Sequence, residues 1–159
     1  MTETLSEGSA APELDLEATR DGTVRLSGLR GRIVVVYFYP KDNTPGCTTE
    51  GQEFRDLYPQ FTELGAEIIG ISRDSLKSHT NFATKHDFPF PLAADPDETA
   101  CAAYGVLKEK TNKQGETVLG VVRSTFIIDP EGVIRYAGYG VKAKGHAAEV
   151  LEKVREIAG

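Results

Sequence analysis

Seven consecutive residues, Ile33-Val34-Val35-Val36-Tyr37-Phe38-Tyr39, are all apolar or aromatic, and the first four are β-branched. A strand with one face in water alternates apolar and polar side chains. A run without alternation is buried on both faces, as in the middle of a parallel sheet covered by helices on each side. Pro40 ends it, because proline has no N–H to give to a sheet ladder. The run falls far short of the roughly 20 apolar residues that cross a bilayer, so no membrane span is expected. A chain built around such a strand is expected to be α/β.

The segments on either side supply the other layers. Phe54, Leu57, Tyr58, Phe61 and Leu64 recur at helical spacing and predict a helix of about four turns, with a kink or break expected near Arg55 to Pro59. Glu67 to Ile71 reads as a second buried strand, so strand, helix and strand form a right-handed parallel crossover. Ser75 to His86 is a weaker helix, and Phe88 to Leu92 is held extended by Pro89 and Pro91. Asp95-Pro96-Asp97 opens a short helix through Tyr104, and Thr111 to Thr117 reads as a mobile turn. Ser124 to Asp129 and Val133 to Ala137 flank Pro130-Glu131-Gly132 as a hairpin, and Ala147, Val150, Leu151, Val154, Ile157 and Ala158 stripe a closing helix. Leu14 to Leu16 and Val24 to Leu26 flank Asp21-Gly22 as an N-terminal β-hairpin. That order predicts a thioredoxin-like three-layer sandwich in one domain, residues 1–159.

Composition narrows the function classes. At 40% apolar and 26% charged the chain is ordinarily globular, and its net charge of −6 disfavours nucleic acid as a partner. Met1 to Ala10 lacks the basic start and apolar middle of a secretory signal, so a cytoplasmic location with reduced cysteines is expected. Cys47 and Cys101 are 54 positions apart with no CxxC and no nearby Cys/His cluster, so neither a metal site nor a thioredoxin-type dithiol is written here. No cofactor is implied.

Cys47 follows a Pro-Gly turn just beyond the central strand and sits where the next helix begins, the position at which open α/β sheets carry their chemistry. Unpaired N–H groups of a first helical turn, and the positive end of its dipole, favour a thiolate over a thiol. A nucleophile is the expectation; a small buried hydrophobe is the alternative. The flanking Thr44-Pro45-Gly46 and Thr48-Thr49-Glu50 are turn and cap residues, which favours the nucleophile.

The segment Tyr37 to Glu50, with Pro40, Thr44 and Cys47 spaced as Pro, three residues, Thr, two residues, Cys, resembles the active-site motif of peroxiredoxins. Its Thr-Pro-Gly-Cys-Thr core resembles the PrxQ subfamily, also called bacterioferritin comigratory proteins. Val122 to Asp129 resembles that family's second signature, and the similarity runs from about Gly8 to the C-terminus. The resemblance implies a thiol peroxidase that reduces hydrogen peroxide and organic hydroperoxides. Cys47 would be the nucleophile, the Thr44 hydroxyl would hold the peroxide, and Arg123 would place a cation beside thiolate and leaving oxygen. Pro40 would shield the site, and Glu50 would orient the arginine or be an ordinary first-turn acid. The resemblance also implies thioredoxin or a similar thiol as electron donor, and a monomer.

The sequence departs from the subfamily at the second cysteine. Gln52 occupies one of the two usual positions for a resolving cysteine, and the other, around Asn81 to Thr84, also holds none. Two routes stay open: direct reduction of Cys47 by an external thiol, or attack by Cys101 after local unfolding. The first is preferred. His79, His86 and His146 are far apart and are expected in surface or capping roles, with His146 beside Lys142 and Lys144 a candidate for the active-site mouth. Gly138 to Ala143 formally matches a dinucleotide GxGxxA, but only one helix follows it and no βαβ unit can form. The competing function is a thioredoxin-fold redox-sensing or chaperone-like module that does not turn over.

Overall fold

The computed structural model describes residues 4–20 and 22–159. The central strand, β3 (Ile33–Phe38), pairs in parallel with β4 (Ala66–Ser72) through the helix α1 (Pro45–Glu63), which is the expected crossover. Strand β5 (Leu92–Ala94) continues the parallel run beyond β4, reached through α2 (Leu76–His86). On the other side of β3 lie β8 (Ser124–Ile128) and then β9 (Ile134–Tyr139), both antiparallel to their neighbours. β1 (Asp15–Ala18) and β2 (Gly22–Arg25) form the N-terminal hairpin and close the far edge, so the sheet runs β2-β1-β5-β4-β3-β8-β9. Asp21, in the hairpin's expected turn, lies outside the described residues, although Ala18 pairs with Gly22 across it.

Alternate residues of β3 go to opposite faces, and each face has its own core. Ile33, Val35, Tyr37 and Tyr39 pack with Phe54 and Phe61 of α1, Phe82 of α2, and Ala147, Val150, Leu151 and Val154 of α4 (His146–Ala158). Val34, Val36 and Phe38 pack on the other side with Leu14, Leu26, Phe126, and Ala100 and Cys101 of the short helix α3 (Thr99–Ala103). Every residue of β3 is buried, which explains the missing alternation. Removing each such large side chain from water is worth about 1.5–3 kcal/mol.

Several expectations need correction. α1 runs unbroken through Pro59, which is exposed; the missing N–H costs the helix one hydrogen bond, the one to the Arg55 carbonyl. The segment around Thr111 is a turn, but strands β6 (Leu107–Thr111) and β7 (Thr117–Val121) flank it as a separate two-stranded sheet. α3 begins at Thr99 rather than Asp95, because the Asp95 carboxylate accepts hydrogen bonds from the Ala100 and Cys101 N–H groups and so caps the helix from outside.

Candidate active site

β3 delivers the chain to the site and α1 receives it. Pro45 stands at the first position of α1, where its missing N–H costs nothing, and Thr44 precedes it with extended φ/ψ of −98° and 156°. Cys47 therefore lies in the first helical turn, among N–H groups that have no partner within the helix. Its residue is 2% exposed. The first turn is closed by the Thr48 N–H donating to the Thr44 carbonyl at 2.8 Å.

The register of β8 on β3 brings in the cation. Phe38 pairs with Ser124, so the residue before it, Arg123, is carried level with the end of β3. Its Nη2 donates to Cys47 Sγ at 3.4 Å and its Nη1 to Glu50 Oε1 at 2.6 Å. Glu50 follows Cys47 by three residues and so shares its helix face. Gly46 makes room for this fork, because a Cβ there would stand 3.0 Å from Nη2. Burial raises the Glu50 carboxyl to about 7 even though Arg123 pulls the other way, and its Oε2 has no hydrogen-bond partner. Burial works against the Arg123 charge, but Glu50 and Cys47 outweigh it and hold the guanidinium charged.

Thr44 does not cap α1 with its side chain. Its hydroxyl donates to the Lys41 carbonyl at 2.8 Å, which leaves the oxygen's lone pairs able to accept. Pro40 is half-buried at the start of the loop. Arg123 thus joins Cys47 to Glu50, with Thr44 at the helix cap three residues before the cysteine. Cys101 is not among them. It is fully buried in the core on the opposite face of the sheet, and burial and the Asp95 carboxylate push its thiol far above the ordinary range.

Two of the three histidines are buried, which overturns their expected surface roles. His146 is packed edge-on to Phe54 and its Nε2 meets Thr125 Oγ1 at 2.8 Å; burial and then Arg123 lower its basicity, with Glu149 opposing. It is 4% exposed and so does not stand at an open mouth. His79 has no exposure and lies 2.7 Å from Asp42 of the active-site loop. Asp42 and Tyr39 escaped the sequence reading. The spacing of His79 and Phe82, three apart on one helical face, was the available signal that His79 points inward.

A buried cysteine at a helix N-terminus, with a fixed arginine on its sulfur and a thioredoxin-like sheet beneath, defines a thiol-based oxidoreductase. A single thiol without CxxC sets it apart from dithiol exchange enzymes. Comparison with known proteins resolves the class. The AhpC/TSA family model matches residues 8–137, and the chain belongs to that family. It is 48% identical over 159 residues to peroxiredoxin Bcp of Xanthomonas campestris, covering 99% of both chains, and 44% identical to peroxiredoxin Bcp of Bacillus subtilis over 98% of each. Among solved structures, Xylella fastidiosa PrxQ superposes with a TM-score of 0.92 at 43% identity, covering 99% of each chain. The Xanthomonas campestris bacterioferritin comigratory protein, studied for its alkyl peroxide reduction activity, superposes at 0.87 with 48% identity over 92% of each. The chain is a thiol-dependent peroxidase of the peroxiredoxin type, and the reading as a non-turning-over sensor or chaperone falls away.

Proposed function

We propose that the protein reduces hydrogen peroxide and alkyl hydroperoxides with Cys47 as its sole redox cysteine. The Cys47 thiolate attacks the terminal oxygen of ROOH, forming an S–O bond as the O–O bond breaks. Sulfur is oxidised to the sulfenic acid and RO⁻ leaves, to be protonated to ROH. The guanidinium of Arg123 stabilises the growing charge on the leaving oxygen, and a water-poor setting strengthens that effect. Thr44 Oγ accepts a hydrogen bond from the peroxide O–H, and Pro40 walls the loop from water. Glu50 holds the arginine fork in place. The similarity to a protein studied with alkyl peroxides supports the substrate class.

One observation carries the one-cysteine route: Cys47 and Cys101 belong to cores on opposite faces of the central sheet. A disulfide needs α-carbons within about 7 Å, so one of the two cysteines would have to leave its core by local unfolding. An external thiol, thioredoxin or one like it, therefore attacks the sulfenic acid and expels water. A second donor thiol then releases Cys47 and carries away the disulfide. A monomer in the cytoplasm fits this reading, and none of the described helices is long and apolar enough to cross a membrane.

Mass spectrometry of the non-reduced protein after one equivalent of peroxide tests it. The expected species gains one oxygen at Cys47, and Cys101→Ala turns over like the parent. Loss of two hydrogens, with the two cysteines in one peptide, would defeat the one-cysteine route while leaving the peroxidase activity standing. Cys47→Ser should consume no peroxide at all.

A further inference from the structure

The loop between β3 and α1, bracketed by Pro40 and Pro45, carries Thr44 and delivers Cys47. Asn43 is left-handed at φ 61°, and the Thr44 hydroxyl is spent within the loop on Lys41. Its hydrogen bonds to other elements converge on Asp42, apart from an exposed contact of Lys85 with Asn43 at 3.3 Å. Asp42 Oδ1 accepts from the Tyr39 hydroxyl at 2.5 Å, and Oδ2 accepts from Ser78 Oγ at 2.8 Å. His79 Nδ1 lies 2.7 Å from Oδ2, and the Asp42 N–H donates to Asp74 Oδ2 at 2.8 Å. The side chains of His79 and Asp42 are 0% and 2% exposed.

His79 reaches further. Its Nε2 faces the Ala93 carbonyl of β5 at 2.9 Å. A carbonyl only accepts, so the ring donates to it from Nε2, and a second hydrogen bond joins Nδ1 to the Asp42 carboxyl. This one ring joins β5, α2 and the catalytic loop. A paired group of this kind is seldom more stabilising than apolar packing of the same shape, so its presence here calls for a reason besides stability.

We propose that the Asp42–His79 pair is a latch that positions the peroxidase loop: closed, it presents Thr44 and Cys47 to peroxide; opened, it lets an external thiol reach the sulfur. The proposal rests on the peroxidase reading of Cys47. The two half-reactions make conflicting demands on the loop. Peroxide is small and needs the reacting atoms aligned, and misplacement by about an ångström can cost ~100-fold. The reductant is a thiol on a larger body, and it must approach a residue that is 2% exposed. The groups facing the pair from each packed element are Tyr39 beyond β3, Asp74 after β4, Ser78 on α2 and the Ala93 carbonyl on β5. Loosening the latch therefore slows oxidation and quickens reduction, whereas a merely structural role would slow both.

Stopped-flow measurement of each half-reaction decides it, using hydrogen peroxide for oxidation and reduced thioredoxin for reduction of the pre-formed sulfenic acid. His79→Gln can keep the donor to Ala93 but not the one to Asp42. The expected result is oxidation slower by roughly ten-fold or more, as for a misaligned nucleophile, with faster reduction. His79→Asn, which can restore a donor near the Nδ1 position, should recover part of both. Ser78→Ala removes one hydrogen bond to Asp42 without touching the ring, and should show the same pair of changes, smaller. Should His79→Gln fail to fold, Ser78→Ala alone decides. Both rates unchanged, or both reduced together, would overturn the latch. Neither result touches the peroxidase assignment, for which Cys47→Ser is the separate control.

Discussion

A thiolate beside a guanidinium gains from that cation twice, once before the O–O bond breaks and again as the leaving oxygen takes up charge. Arg123 touches both Cys47 Sγ and Glu50, so its removal withdraws a donor from the reacting centre and leaves a buried carboxyl without its partner. Arg123→Ala is expected to slow Cys47 oxidation by about 10²–10³-fold, as loss of one preorganised donor does elsewhere. Stopped-flow oxidation by excess peroxide measures this, and a change under two-fold would remove Arg123 from the mechanism. Glu50 sets a pH dependence of its own. Its folded-state value is raised from 4.5 to about 7, chiefly by burial. An acid raised on folding contributes stability that is fully present below its unfolded value and is lost as pH climbs through the folded one. The contribution is thus intact below pH 4.5 and gone above about 7. Glu50→Gln, neutral throughout, escapes this loss, so its stability relative to the parent should rise between those limits by up to ~3 kcal/mol. Denaturant unfolding of both proteins at either end of the window checks it. A constant difference would mean that Glu50 does not titrate there.

At the scale of elements, what was legible in the sequence followed burial. The unalternating run of β3 and the apolar stripes of α1 and α4 each have a buried face, and the hydrophobic pattern records it. β6 and β7 had no such record. Residues 108–111 and 117–119 are all exposed, and a hairpin exposed along most of its length leaves little period in its side chains. The three residues of β5 were hidden differently, since Pro89 and Pro91 marked the segment as extended without saying what it paired with. Of the site, the residues within one loop and one signature were readable, whereas Asp42 and His79 are 37 positions apart and meet only in the fold. Gly51 is a related case. Inside a helix glycine costs about 1 kcal/mol relative to alanine, so its occurrence mid-α1 has no local explanation. The Phe88 ring supplies one, because a Cβ on Gly51 would stand 2.4 Å from its Cζ. Gly51→Ala is therefore expected to destabilise the protein by about 1–2 kcal/mol despite its better helix propensity, and Phe88→Leu in the same chain to relieve part of that loss. Thermal or urea unfolding of the parent and the two variants gives the result; stabilisation by Gly51→Ala alone would contradict this packing of α1 on Phe88.

For the molecule as a whole, the division of the core by one sheet separates the two sulfurs. Cys47 shares its face with α1, α2 and α4, while Cys101 shares the other with α3 and the N-terminal hairpin. The same architecture bears on self-association. An obligate interface needs a contiguous apolar surface, and stable ones bury about 1,200–2,000 Å² in total. Among the described residues the exposed large hydrophobics are Val118 and Leu119, at 41% and 44% exposure on β7. Two such residues on a small hairpin fall well short of that requirement, and the net charge of −6 adds mutual repulsion. Light scattering coupled to gel filtration should therefore give the mass of one chain, 17.3 kDa, in both the reduced and the peroxide-treated protein. Replacing both residues, as Val118→Lys with Leu119→Lys, should alter neither the mass nor peroxide turnover, because both side chains are exposed on β7, a strand of the separate two-stranded sheet. A parent that runs as a dimer and a double variant that runs as a monomer would identify the β6–β7 hairpin as an interface and refute the monomer.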